Sequence, residues 1–219
     1  MKPVISENKF RDYVEQERKS DAIDWILEKM KSGELTVRRL YKEVILPAIQ
    51  TWECPFQEDP LCIWKEHVLT STVRTVIEII YPFVLKEREK SNGKKIIITC
   101  PSEEYHEIAP RIVSDWFELN GFDTIFAGSN TPRETLMAAV QFEKPDYTAI
   151  SVSNTYNLFK AQDMINEIKA AYPEQMIIVG GRAFMKNQAM VQTLDVELFL
   201  KDFDEIDAFS KKIKGRDVQ

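Results

Sequence analysis

Hydrophobic positions along the chain fall into two regimes. From residue 7 to residue 91 they recur every three or four positions, the spacing of a helix that buries one face. Phe10, Tyr13 and Val14 open a weak first segment. Ile23, Trp25, Ile26, Leu27 and Met30 make the face of a second, with Ser20 or Asp21 placed to cap it and Gly33 to end it. A third opens at Thr36 and carries Val37, Leu40, Tyr41, Val44, Ile45, Ala48 and Ile49, with a bend expected at Pro47. A fourth runs from Pro60 to Lys90, kinked or interrupted at Pro82. Helices joined by short loops predict a four-helix bundle.

The period changes after KEREKSNGKK, Lys86 to Lys95, a polar stretch with an Asn-Gly turn that reads as a linker. It divides a helical domain, 1–91, from a second domain, 92–219. Short apolar runs at 96–99, 124–127, 148–152, 176–179 and 197–200 alternate with helical patterns at 110–119, 132–142, 158–171, 184–193 and 203–213. Strand-helix alternation of this kind predicts an α/β domain with a doubly wound, five-stranded parallel sheet. Right-handed crossovers then bring the ends of the first, third and fourth strands to one edge.

Composition narrows the function classes. At 219 residues the chain suits two small domains. A net charge of −6, with no basic stripe interleaved with aromatics, argues against direct nucleic-acid binding. No apolar run approaches ~18 residues, so no membrane span is expected. The start, MKPVISENKF, lacks the apolar core of a secretory signal, and a cytoplasmic location is the expectation. Cys54, Cys62 and Cys100 do not resemble a disulfide framework. Cys54, Cys62 and His67 fall short of a closed zinc set, so the cysteines read as free thiols.

Candidate chemistry gathers at predicted strand ends, where open α/β sheets bind ligands. The loop after the first strand, TCPSEEYHEIAP, holds Glu104 and His106, one of only two histidines. Residues 110–150 separate Ala109 from Ser151-Val152-Ser153, and residues 154–179 separate Ser153 from Gly180-Gly181. Glu-Tyr-His-Glu-Ile-Ala, Ser-Val-Ser and Gly-Gly, in this order and spacing, resemble the cobalamin-binding fingerprint Asp/Glu-x-His-x-x-Gly, Ser-x-Leu/Thr/Val, Gly-Gly. That fingerprint belongs to methionine synthase, corrinoid methyl carriers and cobalamin-dependent photoreceptors. Ala109 stands where the family has glycine, and Ser153 where it has a more apolar residue.

The resemblance implies a Rossmann-like, flavodoxin-like cobalamin-binding domain. It implies that the vitamin's benzimidazole base leaves the metal and that His106 replaces it as cobalt ligand. Glu104 would then fix the other ring nitrogen. Ser151 would donate to the displaced base, the tail would lie against the backbone of Gly180 and Gly181, and Ser153 is a further cofactor-binding candidate. The helical part resembles the cap of light-sensing cobalamin repressors, which carry Trp followed downstream by Glu-His. Here Trp52 precedes Glu66-His67 by 13 intervening residues, a longer spacing than the family's. Trp52, Glu66 and His67 are the cap candidates, with Trp64 an alternative to Trp52. Where some light sensors place a ligating histidine after the cap tryptophan, this chain has Glu53.

The implied function is a sensory or regulatory module for adenosylcobalamin or light. The alternative is a corrinoid methyl carrier that binds methylcobalamin and serves a methyltransferase. Either needs a protein partner, a regulator or a methyltransferase, and leaves a homo-oligomer open.

Overall fold

The computed structural model describes residues 7–50 and 60–216. The chain divides into two compact units, Met1–Glu87 and Arg88–Gln219. The division falls four residues before the boundary expected from the linker. Residues 88–94 join the second unit because their backbone is bonded there: Glu89 N–H donates to Leu119 O (3.1 Å) and Asn92 N–H to Gly121 O (2.9 Å).

The N-terminal unit is helical. It contains α1 (Glu7–Glu15), α2 (Lys19–Lys31), α3 (Val37–Arg39), a π-helical segment (Leu40–Ile45), α4 (Leu46–Gln50) and α5 (Pro60–Glu87). From Val37 to Gln50 the backbone is helical without a break, so among the described residues this unit has four helices. Neither Ser20 nor Asp21 caps α2; Arg18 holds the cap position without a side-chain hydrogen bond. Gly33, at φ +77°, turns the chain after α2, a conformation that suits glycine. Thr36 caps α3, accepting from Arg39 N–H. The bend expected at Pro47 takes the form of the π turn before it. Proline lacks an amide hydrogen and crowds the carbonyl four residues back, and the wider π spacing accommodates both.

Helix α5 continues through Pro82 rather than stopping. Leu69, Val73, Val76, Ile77, Ile80 and Val84 are buried along one face. Among the described residues α5 is the one helix long and apolar enough to cross a membrane. Cys62, read as a free thiol, is disulfide-bonded. Cys100 is free and buried, and burial pushes its thiol up to about 12, so it stays protonated and inert.

The C-terminal unit is a parallel sheet ordered β2-β1-β3-β4-β5. Its strands are β1 (Lys95–Pro101), β2 (Asp123–Thr131), β3 (Tyr147–Ser151), β4 (Met176–Gly180) and β5 (Leu198–Phe199). Between them run α6 (Ile108–Leu119), α7 (Arg133–Glu143), a 3₁₀ turn (Thr155–Asn157) with α8 (Leu158–Ala171), and α9 (Arg182–Lys186) with α10 (Gln188–Val191). Helix α11 (Phe203–Arg216) closes the unit. The single helix expected over 184–193 is broken at Asn187, and β2 runs four residues past its apolar run.

Both sheet faces are covered, which is why the central strands read as unbroken apolar runs. On one face Leu136, Val140, Ala161, Met164, Ile165 and Ile168 pack with Ile97, Ile150 and Ile177. On the other Trp116 of α6 stacks on Phe203 of α11 at 4.0 Å between ring centroids. With β1 beside β3 at the reversal of strand order, the loops after β1 and β3 flank the crevice where such sheets take ligands.

Candidate functional site

The loop between β1 and α6 makes a tight turn, with Glu104 N–H donating to Pro101 O at 3.0 Å. It sends Glu104 inward, where the residue is fully buried. A buried carboxylate is costly unless it is bonded on all sides, and Glu104 is. Its Oε1 accepts from the His106 ring Nδ1 (2.5 Å) and the His106 backbone N–H (3.1 Å). Its Oε2 accepts from Ser153 N–H (3.0 Å), Asn154 N–H (2.8 Å) and Asn157 Nδ2 (3.3 Å). Burial alone would push this carboxyl up. The bonds from Asn154, His106 and Asn157 outweigh it and hold Glu104 below the ordinary carboxylate value.

An ionised carboxylate only accepts, so the His106 Nδ1 must donate. In the neutral ring this fixes the tautomer, with the proton on Nδ1 and the lone pair on Nε2. The His106 side chain is 64% exposed beside a partner at 0%, so its outer nitrogen is open to a ligand. Ala109, at the glycine position of the fingerprint, sits exposed in the first turn of α6 and is not among the residues with positive φ. Its methyl group therefore brings no backbone strain.

The other fingerprint elements converge on this loop. Ser151, half-buried, pairs with Gly180 in the β3–β4 register. Ser153 reaches Glu104 through its backbone amide. Gly181 lies at φ +103° against the Val152 backbone. The two glycines are not equivalent. A Cβ on Gly180 would meet Leu200 O at 3.1 Å, and one on Gly181 would meet Val152 O at 2.4 Å. Gly181 is thus demanded by the close approach of the backbones just past the ends of β3 and β4, whatever lies in the crevice. Trp52 lies outside the described residues. Glu66 and His67 are exposed on α5, and Trp64 is 57% exposed there.

Asn154 and Asn157 escaped the sequence reading. Asn154 accepts from Tyr156 N–H at 3.1 Å, a local turn legible in the string SNTYN. Nothing local points to a carboxylate some fifty residues earlier.

Replacing Glu104 with Gln turns one acceptor oxygen into a donor facing donors. Expected is a loss on the order of 3 kcal/mol at neutral pH, from two or three unmet bonds. Because the folded value of Glu104 is lowered, its contribution is complete above the ordinary 4.5 and is lost as pH falls through the folded value. Urea midpoints of wild type and Glu104→Gln should therefore draw together below pH 4.5. A gap constant down to acid pH would contradict this.

The parallel sheet thus carries, at its carboxyl edge, an exposed imidazole backed by a buried carboxylate, the pair that the cobalamin fingerprint places there. Residues 94–201 match the family described as B12 binding domain, and the C-terminal unit belongs to it. Among solved structures, the chain is similar to the monomethylamine corrinoid protein of Methanosarcina barkeri. The match has 12% identity, a TM-score of 0.78, and covers 94% of this chain and 96% of that one. It is also similar to a chain of the methanol:cobalamin methyltransferase complex from the same organism. Here identity is 15%, the TM-score 0.50, and coverage 92% of this chain and 78% of that one. At these identities the likeness establishes the fold. No curated protein sequence matches the chain.

Proposed function

We propose that the protein is the cobalamin-carrying subunit of a methyl-transfer system, and that it holds the vitamin with its own base off the metal and His106 in its place. The observation that carries this is the committed imidazole: Nδ1 bound to a buried, ionised Glu104, and Nε2 facing outward. Neutral imidazole suits a transition metal such as cobalt, and a carboxylate behind it raises its basicity. When bound, cobalamin supplies a cobalt centre that accepts and releases a methyl group. The chain's residues hold and orient that centre. His106 ligates, Glu104 fixes the ring, Ser151 donates to the displaced base, and Ser153, Gly180 and Gly181 border the tail. A separate methyltransferase is the partner this role requires. Supporting it, solved structures with this fold include a corrinoid protein and a chain of a methyltransferase complex, and the first matches along nearly the whole chain.

The sensory reading rests on Glu66 and His67, adjacent and exposed on α5. A sensor's cap would grip the adenosyl group, and Glu66 would bond its ribose hydroxyls. A carrier's cap must instead leave the methyl group reachable. Titration of both cofactors in the dark separates the two. The expected result is comparable affinity for methyl- and adenosylcobalamin and no change in Glu66→Ala. A preference for adenosylcobalamin of about tenfold or more, reduced by Glu66→Ala, is what a lost bond to a charged group produces and would favour the sensor.

A further inference from the structure

We propose that Asn130, at the end of β2, is a positioning residue for the His106 ligand and acts through the backbone of Glu103 and Glu104. The proposal rests on His106 being the cobalt ligand. Along the β1–β2 ladder, Ile98 pairs with Phe126, Thr99 with Gly128 and Pro101 with Thr131. At each of the two register shifts β2 carries one residue more than β1. Extra residues bend a strand and re-aim the segment beyond them. Here they bring the tail of β2 against the loop that bears His106.

Asn130 makes two bonds to that loop. Its N–H donates to Glu104 O at 2.9 Å, and its side-chain Oδ1 accepts from Glu103 N–H at 2.8 Å. To do both it sits at φ +52°, a left-handed conformation that asparagine tolerates better than other residues with a side chain. Glu103 is itself left-handed, at φ +65°. Nothing in a glutamate favours that conformation, so the surroundings must impose it. Asn130 holds the Glu103 amide, Asn157 Nδ2 donates to its carbonyl at 3.1 Å, and Lys160 pairs with its carboxylate.

The left-handed step at Glu103 sets which way the next residues face. With it, Glu104 turns fully inward and His106 stays outward, bonded behind by Glu104. Asn130 and Glu103 are both exposed. If the side-chain acceptor is removed, water can satisfy the Glu103 amide, so the fold loses little. What is lost is the constraint on the turn, and the imidazole then spends less time where the metal needs it.

The test uses the full chain loaded with Co(II) cobalamin and labelled with ¹⁵N-histidine. Paramagnetic resonance at fixed pH reads the ratio of histidine-bound to histidine-free cobalt. Asn130→Gly keeps the left-handed backbone and the amide but removes the acceptor. Its ratio should fall about fivefold, the effect of one hydrogen bond. Asn130→Ala should fall at least as far. Asn130→Asp keeps an acceptor and should stay within twofold of wild type. Urea midpoints of the cofactor-free forms should change little between Gly and Asp. A ratio within twofold of wild type in folded Asn130→Gly or Asn130→Ala overturns the proposal, as does an Asp variant as impaired as the Gly variant. Absence of imidazole coupling in wild type, seen before any variant is made, overturns the ligand reading and the proposal with it.

Discussion

In His106→Ala the nitrogen coupling seen in the paramagnetic resonance of Co(II) cobalamin should vanish, and cobalamin affinity should fall by more than tenfold. Loss of an outer-shell partner alone typically costs roughly 10–100-fold in metal affinity, and removal of the ligand should cost no less. The cofactor-free fold should survive. His106 is exposed, and its ring is tied to the protein through Nδ1 and Glu104. Glu104 would keep four donors: the amides of residues 106, 153 and 154, and the Asn157 side chain. A change in stability of about 1 kcal/mol, one ordinary hydrogen bond, is the expectation. The chain has only two histidines. Coupling to a protein imidazole that persists in His106→Ala must therefore come from His67, and the assignment of His106 would be withdrawn.

Gly181→Ala should be the most damaging small substitution at the site, costing roughly 3 kcal/mol or more in folding. Gly181 combines φ +103° with ψ 165°, a region essentially closed to residues with a Cβ. The added carbon would also stand 2.4 Å from Val152 O and 3.0 Å from Val152 C and N. These are backbone atoms and cannot step aside. Val152 is fully buried, with its N–H on Gly180 O and its carbonyl accepting from Ala183 N–H. Gly180→Ala meets a single carbonyl oxygen at 3.1 Å, which a few tenths of an ångström relieves. Urea denaturation of the two cofactor-free variants decides the matter. Equal stability of the two would mean that Gly181 is not locked as described. If Gly180→Ala folds well and binds cobalamin weakly, its hydrogen is needed for the tail, separately from the fold.

Much of the fold could be read from the chain. The switch from helical period to alternating apolar runs near Lys95 separated the two regimes, and the five runs became the five strands. Where the expectation missed, a local rule met a tertiary one. Pro82 was expected to kink or interrupt the fourth helix, and the interruption does not occur: α5 runs through it. Buried contacts on both sides of Pro82, at Ile80 and Val84, offset one missing hydrogen bond. The caps expected at Ser20 and Asp21 failed because α2 begins a residue or two earlier, at Lys19. Glu104, His106, Ser151, Ser153 and the glycines were singled out by type and spacing, and the structure joins Glu104 to His106 and to the Ser153 amide.

The sequence by itself determined the order and type of the elements, the strand ends at which chemistry gathers, and the fingerprint that names the ligand class. These are properties of short stretches and their separations, set by side-chain periodicity and by the few residues able to turn a chain. Only the tertiary structure decided that Glu104 is buried, that it is held ionised by Ser153, Asn154 and Asn157, and that Asn130 braces the loop from a neighbouring strand. It also decided that Gly181 is required by the backbone of Val152. Each of these joins residues some thirty to fifty positions apart. Such pairs meet only once crossovers and strand register are fixed, and those are set by the packing of the whole sheet between its helices.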